Sequence, residues 1–293
     1  MRKQGEYGRQ RTKCQLNCAT LRGDGEDITC IQENVLIVQI YEIQTPSEAE
    51  TIIALDVDHI GSVILSESQW KNPKVYDVVR LTQSAGRRSS LIPLFRTFEK
   101  PEILLKTLDH YRPDIVHFCD SLSDGNGIRE VCRKMVSLQK VVKQEFPAIS
   151  IMRSIPIAPT GFTSGVPTIE LAALFEAVSD YFLTDTVIVN NTKDLALTKV
   201  EQAVVGFIGI TGRTCDWDAA RHLVETTRIP VILAGGISPN NVEAGLSNVR
   251  PAGVDSCTGT NATDAAGQAI RFKKDPEKVK RLVEAVRRYD NHR

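Results

Sequence analysis

The sequence lacks an excess of charge of either sign. It carries 36 Lys and Arg against 36 Asp and Glu, so its net charge is zero. Because nucleic acids and anionic membrane surfaces are bound through clustered positive charge, we expect neither as a partner. The sequence also lacks any apolar run near the roughly 20 residues that a membrane helix needs, and its N-terminus does not resemble a signal peptide. With 42% apolar and 25% charged residues, we expect a soluble, cytoplasmic protein.

No disulfide framework and no metal motif are visible. The seven cysteines are scattered and odd in number, which favours reduced thiols over disulfides. Cys14, Cys18 and Cys30 lie near the N-terminus but lack the second CxxC or histidine partner of a zinc site. No His, Asp and Glu cluster has ligand spacing either, so we predict no bound metal.

The first 34 residues differ from the remainder. Residues 1–22 carry six Lys or Arg against one acid and show no periodicity. We interpret residues 1–34 as a disordered basic arm or an over-called translation start, and residues 35–293 as a single domain.

From Val35 onward, short apolar strands alternate with helical patterns. Eight strands separated by helices favour a closed parallel (β/α)8 barrel, an α/β fold of the TIM type, which needs about 250 residues. The predicted strands are 35–43, 59–65, 90–95, 115–119, 150–155, 181–184, 231–234 and 252–260. The predicted helices are 45–55, 76–84, 102–111, 127–145, 168–178, 217–224, one opening at 238, and 276–289.

Three glycine-rich turns near the C-terminus predict a phosphate site. A glycine turn leaves backbone N–H groups free to face an anion, and in barrels the loops after the last two strands share one phosphate. Ser238 as N-cap and Pro239 at the first helical position would add a helix N-terminus. The predicted phosphate-binding residues are Gly209, Thr211, Gly212, Arg213, Gly235, Gly236, Thr258 and Gly259.

The segments GITGRTCDW, PVILAGGISPNNV and RPAGVDSCTG resemble, in this order, the C-terminal half of the phosphoribosylanthranilate isomerases. Weaker similarity extends over roughly 35–288. The resemblance implies a barrel of tryptophan biosynthesis that acts as an aldose-ketose isomerase: it opens a phosphoribosyl amine and moves hydrogen from C2 to C1, an Amadori rearrangement. Because that chemistry is redox-neutral, we expect no cofactor.

Asp185 is the first candidate catalytic residue. It closes an apolar strand, where partial burial raises a carboxyl pKa towards neutrality and suits a general acid. The resemblance assigns the matching aspartate to protonation of the furanose ring oxygen.

The residues at the position of the general base differ from those of the family, which has a cysteine followed by glycine on the first strand. Here Tyr41 and Glu42 occupy those positions. A tyrosine with an ordinary pKa near 10 is a poor base, and strand alternation turns Glu42 to the other face unless the strand end twists. Cys119 and Cys257 are alternatives, either as thiolates or as buried apolar filler.

The residues expected to contact the substrate's aromatic ring and carboxylate also differ from those of the family. Where the family has proline and arginine, this chain offers Trp70 for stacking and Lys71 as a cation; His117 is a further candidate at a strand end. We therefore keep two alternatives to the isomerase: a related barrel acting on another phosphorylated sugar, and a non-catalytic phosphosugar-binding protein. In each case the partner is a small phosphosugar, bound by a monomer or homodimer.

Overall fold

The computed structural model describes residues 35–124, 127–162, 165–187, 206–209 and 211–293. The prediction for residues 1–34 lies outside this part of the chain. Residues 34–293 form one compact unit.

Eight parallel strands close into a barrel in the order β1, β2, β3, β4, β7, β8, β9, β10, which confirms the TIM-barrel prediction. Every predicted strand overlaps one of them, and continuous burial along most of these strands explains their apolar sequences. Two short antiparallel hairpins, β5 with β6 and β11 with β12, lie outside the barrel. The strands are β1 Ile37–Ile40, β2 His59–Ile64, β3 Arg88–Pro93, β4 Ile115–Phe118, β5 Ser123–Asp124, β6 Gly127–Ile128, β7 Ser150–Ile157, β8 Tyr181–Thr186, β9 Val231–Leu233, β10 Gly253–Ser256, β11 Asn261–Thr263 and β12 Ala269–Lys274.

Eight α-helices occur in the described part of the chain, mostly opened by the residue types that cap helices. Asp216 accepts a hydrogen bond from the Ala219 N–H at 2.9 Å, and Asp275 caps the last helix. The helices are α1 Pro46–Ala54, α2 Pro73–Ser84, α3 Pro101–Tyr111, α4 Cys132–Glu145, α5 Thr168–Phe175, α6 Trp217–Thr226, α7 Val242–Val249 and α8 Pro276–Asp290. None of these described helices is both long and apolar enough to cross a bilayer.

The core has two layers. One fills the barrel with side chains from several strands, among them Tyr41, Met152 and Leu183. The other lies between the strands and the apolar faces of the helices. This double burial is what fixes the strand ends in place as a rigid rim.

Two helix predictions were wrong at their starts. The helix predicted at 127 begins at Cys132, because the chain first forms the β5–β6 hairpin. The helix predicted from a Ser238 cap begins at Val242; the Asn241 Oδ1 accepts from the Ser238 N–H at 2.8 Å and closes a turn instead. The β11–β12 hairpin was not predicted.

Candidate active site

A cavity of about 700 Å³, including its open mouth, lies at the carboxyl ends of the barrel strands. Functional groups of such barrels lie at this end, because the loops there converge on one point. The polar and glycine positions that line it are Tyr41, Glu42, His117, Cys119, Asp185, Thr211, Gly212, Gly235, Gly236, Asp255, Cys257, Thr258 and Gly259.

One wall brings together six of the eight residues predicted to bind phosphate. Thr211 and Gly212, Gly235 and Gly236, and Thr258 and Gly259 all line the cavity. Gly209 and Arg213 do not, so the predicted cation is absent from the described lining. The start of α7 at Val242 also removes the predicted helix N-terminus from Ser238. The wall therefore offers loop backbone and two hydroxyls to an anion.

Glycine is required in this wall because the loops cross closely. Gly236 has φ +67°, and a Cβ there would lie 2.6 Å from the Arg213 carbonyl carbon and the Thr214 nitrogen. Gly235 has φ +87°, and its Cβ would lie 2.5 Å from the Thr186 Oγ1. Any side chain at either position would push the loops apart.

Asp185, on β8, faces the cavity as predicted. Burial, and secondly the negative charge of Asp255, raise the pKa of its carboxyl to about 8, although the Thr186 N–H donates to it at 3.0 Å. Gly209, with φ +94°, leaves the space that this carboxylate occupies, because a Cβ there would collide with it. Asp185 is thus mostly protonated at neutral pH, the state that a general acid needs.

Asp255, at the end of β10, is a site residue that sequence reasoning missed. It lines the cavity with only 7% of its surface exposed. Its Oδ1 accepts from the Gln39 Nε2 at 3.1 Å, and the Gln39 Oε1 accepts from the His59 Nδ1 at 3.1 Å. Burial raises the pKa of Asp255 to about 7, against the lowering effects of Gln39 and Lys274.

Tyr41 lies in the barrel interior, packed against Gly61, where a Cβ would collide with its ring. Its hydroxyl contacts the Ser90 Oγ at 2.5 Å and the His117 Nδ1 at 2.8 Å, while the His117 Nε2 contacts the Ser154 Oγ at 2.8 Å. Burial raises the pKa of Tyr41 well above 10 and lowers that of His117 to about 3. At neutral pH both groups are uncharged, which opposes a role of Tyr41 as base.

Glu42 turns towards the cavity rather than away from it. Its backbone is left-handed, φ +67°, at the position where the resemblance places glycine, and this twist overrides strand alternation. Its carboxylate pairs with Arg271 of β12 at 2.7 Å and is 2% exposed. Arg271 is the second site residue that sequence reasoning missed, since it lies on the unpredicted hairpin.

The two thiols of the cavity are poorly suited to act as thiolates. Burial raises the pKa of Cys119 well above its ordinary value, with Asp120 and Asp185 adding to the effect. Burial likewise raises the pKa of Cys257, although Lys274 opposes it. The Lys274 Nζ donates to the Cys257 carbonyl at 2.9 Å and to the Asn261 Oδ1 at 2.6 Å.

Trp70 and Lys71 are not brought to the lining of the cavity. Trp70 packs edge-on to His110 of α3, with ring centroids 5.8 Å apart, and the Lys71 Nζ lies 4.9 Å from the Trp70 ring. The eight residues between β2 and α2, 65–72, hold Trp70 against α3 and leave Lys71 exposed. Their predicted role in substrate binding has no support from this arrangement.

Within the described ranges, no three His, Cys, Asp or Glu side chains are grouped so that they could hold a metal ion. The cavity therefore combines glycine-rich loop backbone with a pair of carboxyl groups, one of which stays protonated near neutral pH.

Comparison with known proteins points to one family. The model of the N-(5'-phosphoribosyl)anthranilate isomerase family matches residues 177–285, which contain Asp185 and the glycine loops. The isomerase of Methanosarcina acetivorans is 29% identical over 258 residues, 85% of this chain and 92% of that protein. The isomerase of Methanocella arvoryzae is 32% identical over 148 residues, 50% of this chain and 55% of that protein.

A solved phosphoribosylanthranilate isomerase in complex with reduced 1-(o-carboxyphenylamino)-1-deoxyribulose 5-phosphate has the same fold. It superposes with a TM-score of 0.56 at 16% identity, over 86% of this chain and 99% of that one. The fold, the family match and the relative aligned along most of both chains agree. Over most of its length the chain is therefore similar to the phosphoribosylanthranilate isomerases.

Proposed function

We propose that the protein isomerises N-(5'-phosphoribosyl)anthranilate to the corresponding 1-amino-1-deoxyribulose 5-phosphate, a step of tryptophan biosynthesis. One observation supports this above the others: Asp185 holds its proton near neutral pH and faces the same cavity as the glycine loops. We expect the enzyme to act in the cytoplasm, as a monomer or homodimer.

The substrate's phosphate binds at the glycine loops. Backbone N–H groups of 211–212, 235–236 and 258–259, with the Thr211 and Thr258 hydroxyls, are the donors on that wall. Fixing the phosphate there places the ribose ring over the centre of the barrel, between Asp185 and the β10 end. Binding energy from the phosphate thus orients a reacting centre several bonds away.

Asp185 then opens the sugar. Its carboxyl proton passes to the ring oxygen, the C1–O bond breaks, and the electron pair of the anthranilate nitrogen forms a C=N bond. A base in the same cavity next removes the C2 proton, and the resulting enol-amine becomes the ketone as C1 gains a proton. A general acid of this kind contributes about 10²- to 10⁴-fold to the rate.

The test is consumption of phosphoribosylanthranilate by the purified protein, followed by the loss of its fluorescence. Asp185→Asn keeps the shape of the side chain but removes the transferable proton, and we expect kcat to fall about 10²- to 10⁴-fold. Asp218→Asn is the matched control, because Asp218 is exposed at the start of α6, and it should leave turnover unchanged. Turnover that survives Asp185→Asn would contradict the assignment of the acid.

The positions of Trp70 and Lys71 favour a second candidate function. These residues stand where the family contacts the substrate's aromatic carboxylate, but here they do not line the cavity. The second candidate is a related isomerase acting on another phosphorylated sugar amine. Saturable binding of a pentose phosphate without turnover of phosphoribosylanthranilate would support this candidate over the first.

A further inference from the structure

We propose that Asp255 is the general base of this enzyme, the group that takes the C2 proton in place of the missing cysteine. The inference rests on the isomerase activity proposed above and names a residue for its second chemical step. It follows from where three neighbouring strands end.

Asp185, Ala234 and Asp255 lie at one level of the barrel. β8 pairs with β9 so that Leu183 is opposite Ile232, and β9 pairs with β10 so that Val254 is opposite Leu233. Continuing both registers places Ala234 level with both aspartates. Adjacent strands lie about 4.8 Å apart, so the two Cα atoms are separated by roughly 10 Å, with only a methyl side chain between them.

This spacing suits the two proton transfers. The ring oxygen and C2 of a ribofuranose are both bonded to C1, so the acid and the base must reach two neighbouring points of one ring. Both carboxyl groups face the same cavity. Asp255 is held in place from below, because the Gln39 Nε2 donates to it and His59 holds Gln39.

The other titratable groups of the lining are already engaged. Both ring nitrogens of His117 are hydrogen-bonded, one of them to Tyr41, and Glu42 is paired with Arg271. Both thiols are protonated by burial. Among the described residues that line the cavity, Asp255 is the remaining carboxylate besides the acid.

The charges around Asp255 divide the roles between the two aspartates. It is faced by Gln39 of β1, Lys274 of β12, Asp185 of β8 and Tyr41, which directly follows β1. Lys274 and Gln39 favour its ionised form, whereas Asp185 has neither partner and is repelled by Asp255. Burial raises the pKa of both carboxyl groups, but Gln39 and Lys274 lower that of Asp255 while the charge of Asp255 raises that of Asp185, so Asp255 ionises first and Asp185 keeps its proton.

The two aspartates and water account for every proton that moves in the reaction. After ring opening, the ionised Asp255 takes the C2 proton, and the C–H electron pair forms the C1–C2 double bond while the C=N pair returns to nitrogen. Asp255 then delivers its proton to C1 as the C2 hydroxyl becomes the ketone. The hydroxyl proton leaves to water at the open mouth, and Asp185 recovers its proton from the same water.

The experiment separates the base from the acid. In D2O the open-chain product, 1-(o-carboxyphenylamino)-1-deoxyribulose 5-phosphate, exchanges a C1 hydrogen for deuterium only if a base removes that hydrogen. Because the product is already open, this exchange does not need the acid that opens the ring. We expect the wild type to exchange that hydrogen, Asp185→Asn to retain exchange while losing turnover, and Asp255→Asn to lose both by about 10²- to 10⁴-fold. Exchange is measured by mass spectrometry or proton NMR.

Two controls keep the result interpretable. Binding of the reduced product analogue to Asp255→Asn shows that the cavity is intact, and Asp255→Glu, which keeps the carboxylate, should recover part of the exchange. If the wild type isomerises and exchanges the C1 hydrogen, and Asp255→Asn does both equally well, the assignment of Asp255 as the base is overturned but the proposed activity is not. A wild type that does neither overturns the proposed activity.

Discussion

Asp255→Asn should change how the stability of the protein depends on pH. Asp255 is buried, and its pKa in the folded protein is about 7 against an ordinary value of 3.8. A raised pKa means that the folded state holds the proton more tightly than the unfolded chain. The stabilisation is complete below about pH 4 and is lost as pH rises through 7.

The size of the effect follows from the two pKa values. Between pH 5 and pH 9 the wild type should lose about 3 kcal/mol of unfolding free energy through this one carboxyl. Asparagine keeps an oxygen that can accept from Gln39 but has no proton to lose. Removing Asp255 also removes its repulsion of Asp185, which acts in the same direction.

The assay is thermal unfolding of wild type and Asp255→Asn at pH 5, 7 and 9. The difference in Tm, variant minus wild type, should grow by roughly 6 to 12 °C from pH 5 to pH 9. Asp218→Asn, an exposed site, should show a constant difference. A difference between Asp255→Asn and wild type that stays constant across this range would refute the burial argument for Asp255.

Three further outcomes are expected. The pH profile of kcat/KM should rise near pH 7 as Asp255 ionises and fall near pH 8 as Asp185 loses its proton. Asp255→Asn should keep only the fall at alkaline pH. A wild-type profile that is flat from pH 5 to 10 would contradict the roles assigned to the two aspartates. Gly209→Ala should lower kcat more than tenfold, because its Cβ displaces the Asp185 carboxylate, whereas Gly267→Ala, with φ +79° and open space around it, should not change kcat; equal effects would point to backbone strain alone. Tyr41→Cys should not raise turnover, since burial keeps a thiol protonated there; a rise would show that the family's cysteine was the missing base.

The fold was predictable because its signals are local. Most barrel strands contain a short run of apolar residues, and Asp185 was found by its place at the end of such a run. The positions of Gly235 and Gly236 were predictable for the same reason, since a double glycine after a buried strand has few other uses.

The remainder of the site depends on contacts between distant parts of the chain. Glu42 faces the cavity because its backbone is left-handed and Arg271, 229 residues later, holds its carboxylate. Asp255 lies within the segment quoted for the resemblance, and its proximity to a polar strand end was the one signal that could have identified it. Trp70 was misplaced because a loop sequence does not show which neighbouring helix will cover it.

The contact between Tyr41 and Gly61 restricts the order in which this chain could regain the family's cysteine. Enlarging position 61 first would collide with the ring, and replacing the ring first would leave an internal void, at a cost of about 3 kcal/mol or more. Each single step is therefore unfavourable, although the double replacement conserves volume. While position 61 is glycine, Tyr41 is therefore costly to replace, and a proton acceptor is more easily accommodated elsewhere in the barrel than at position 41.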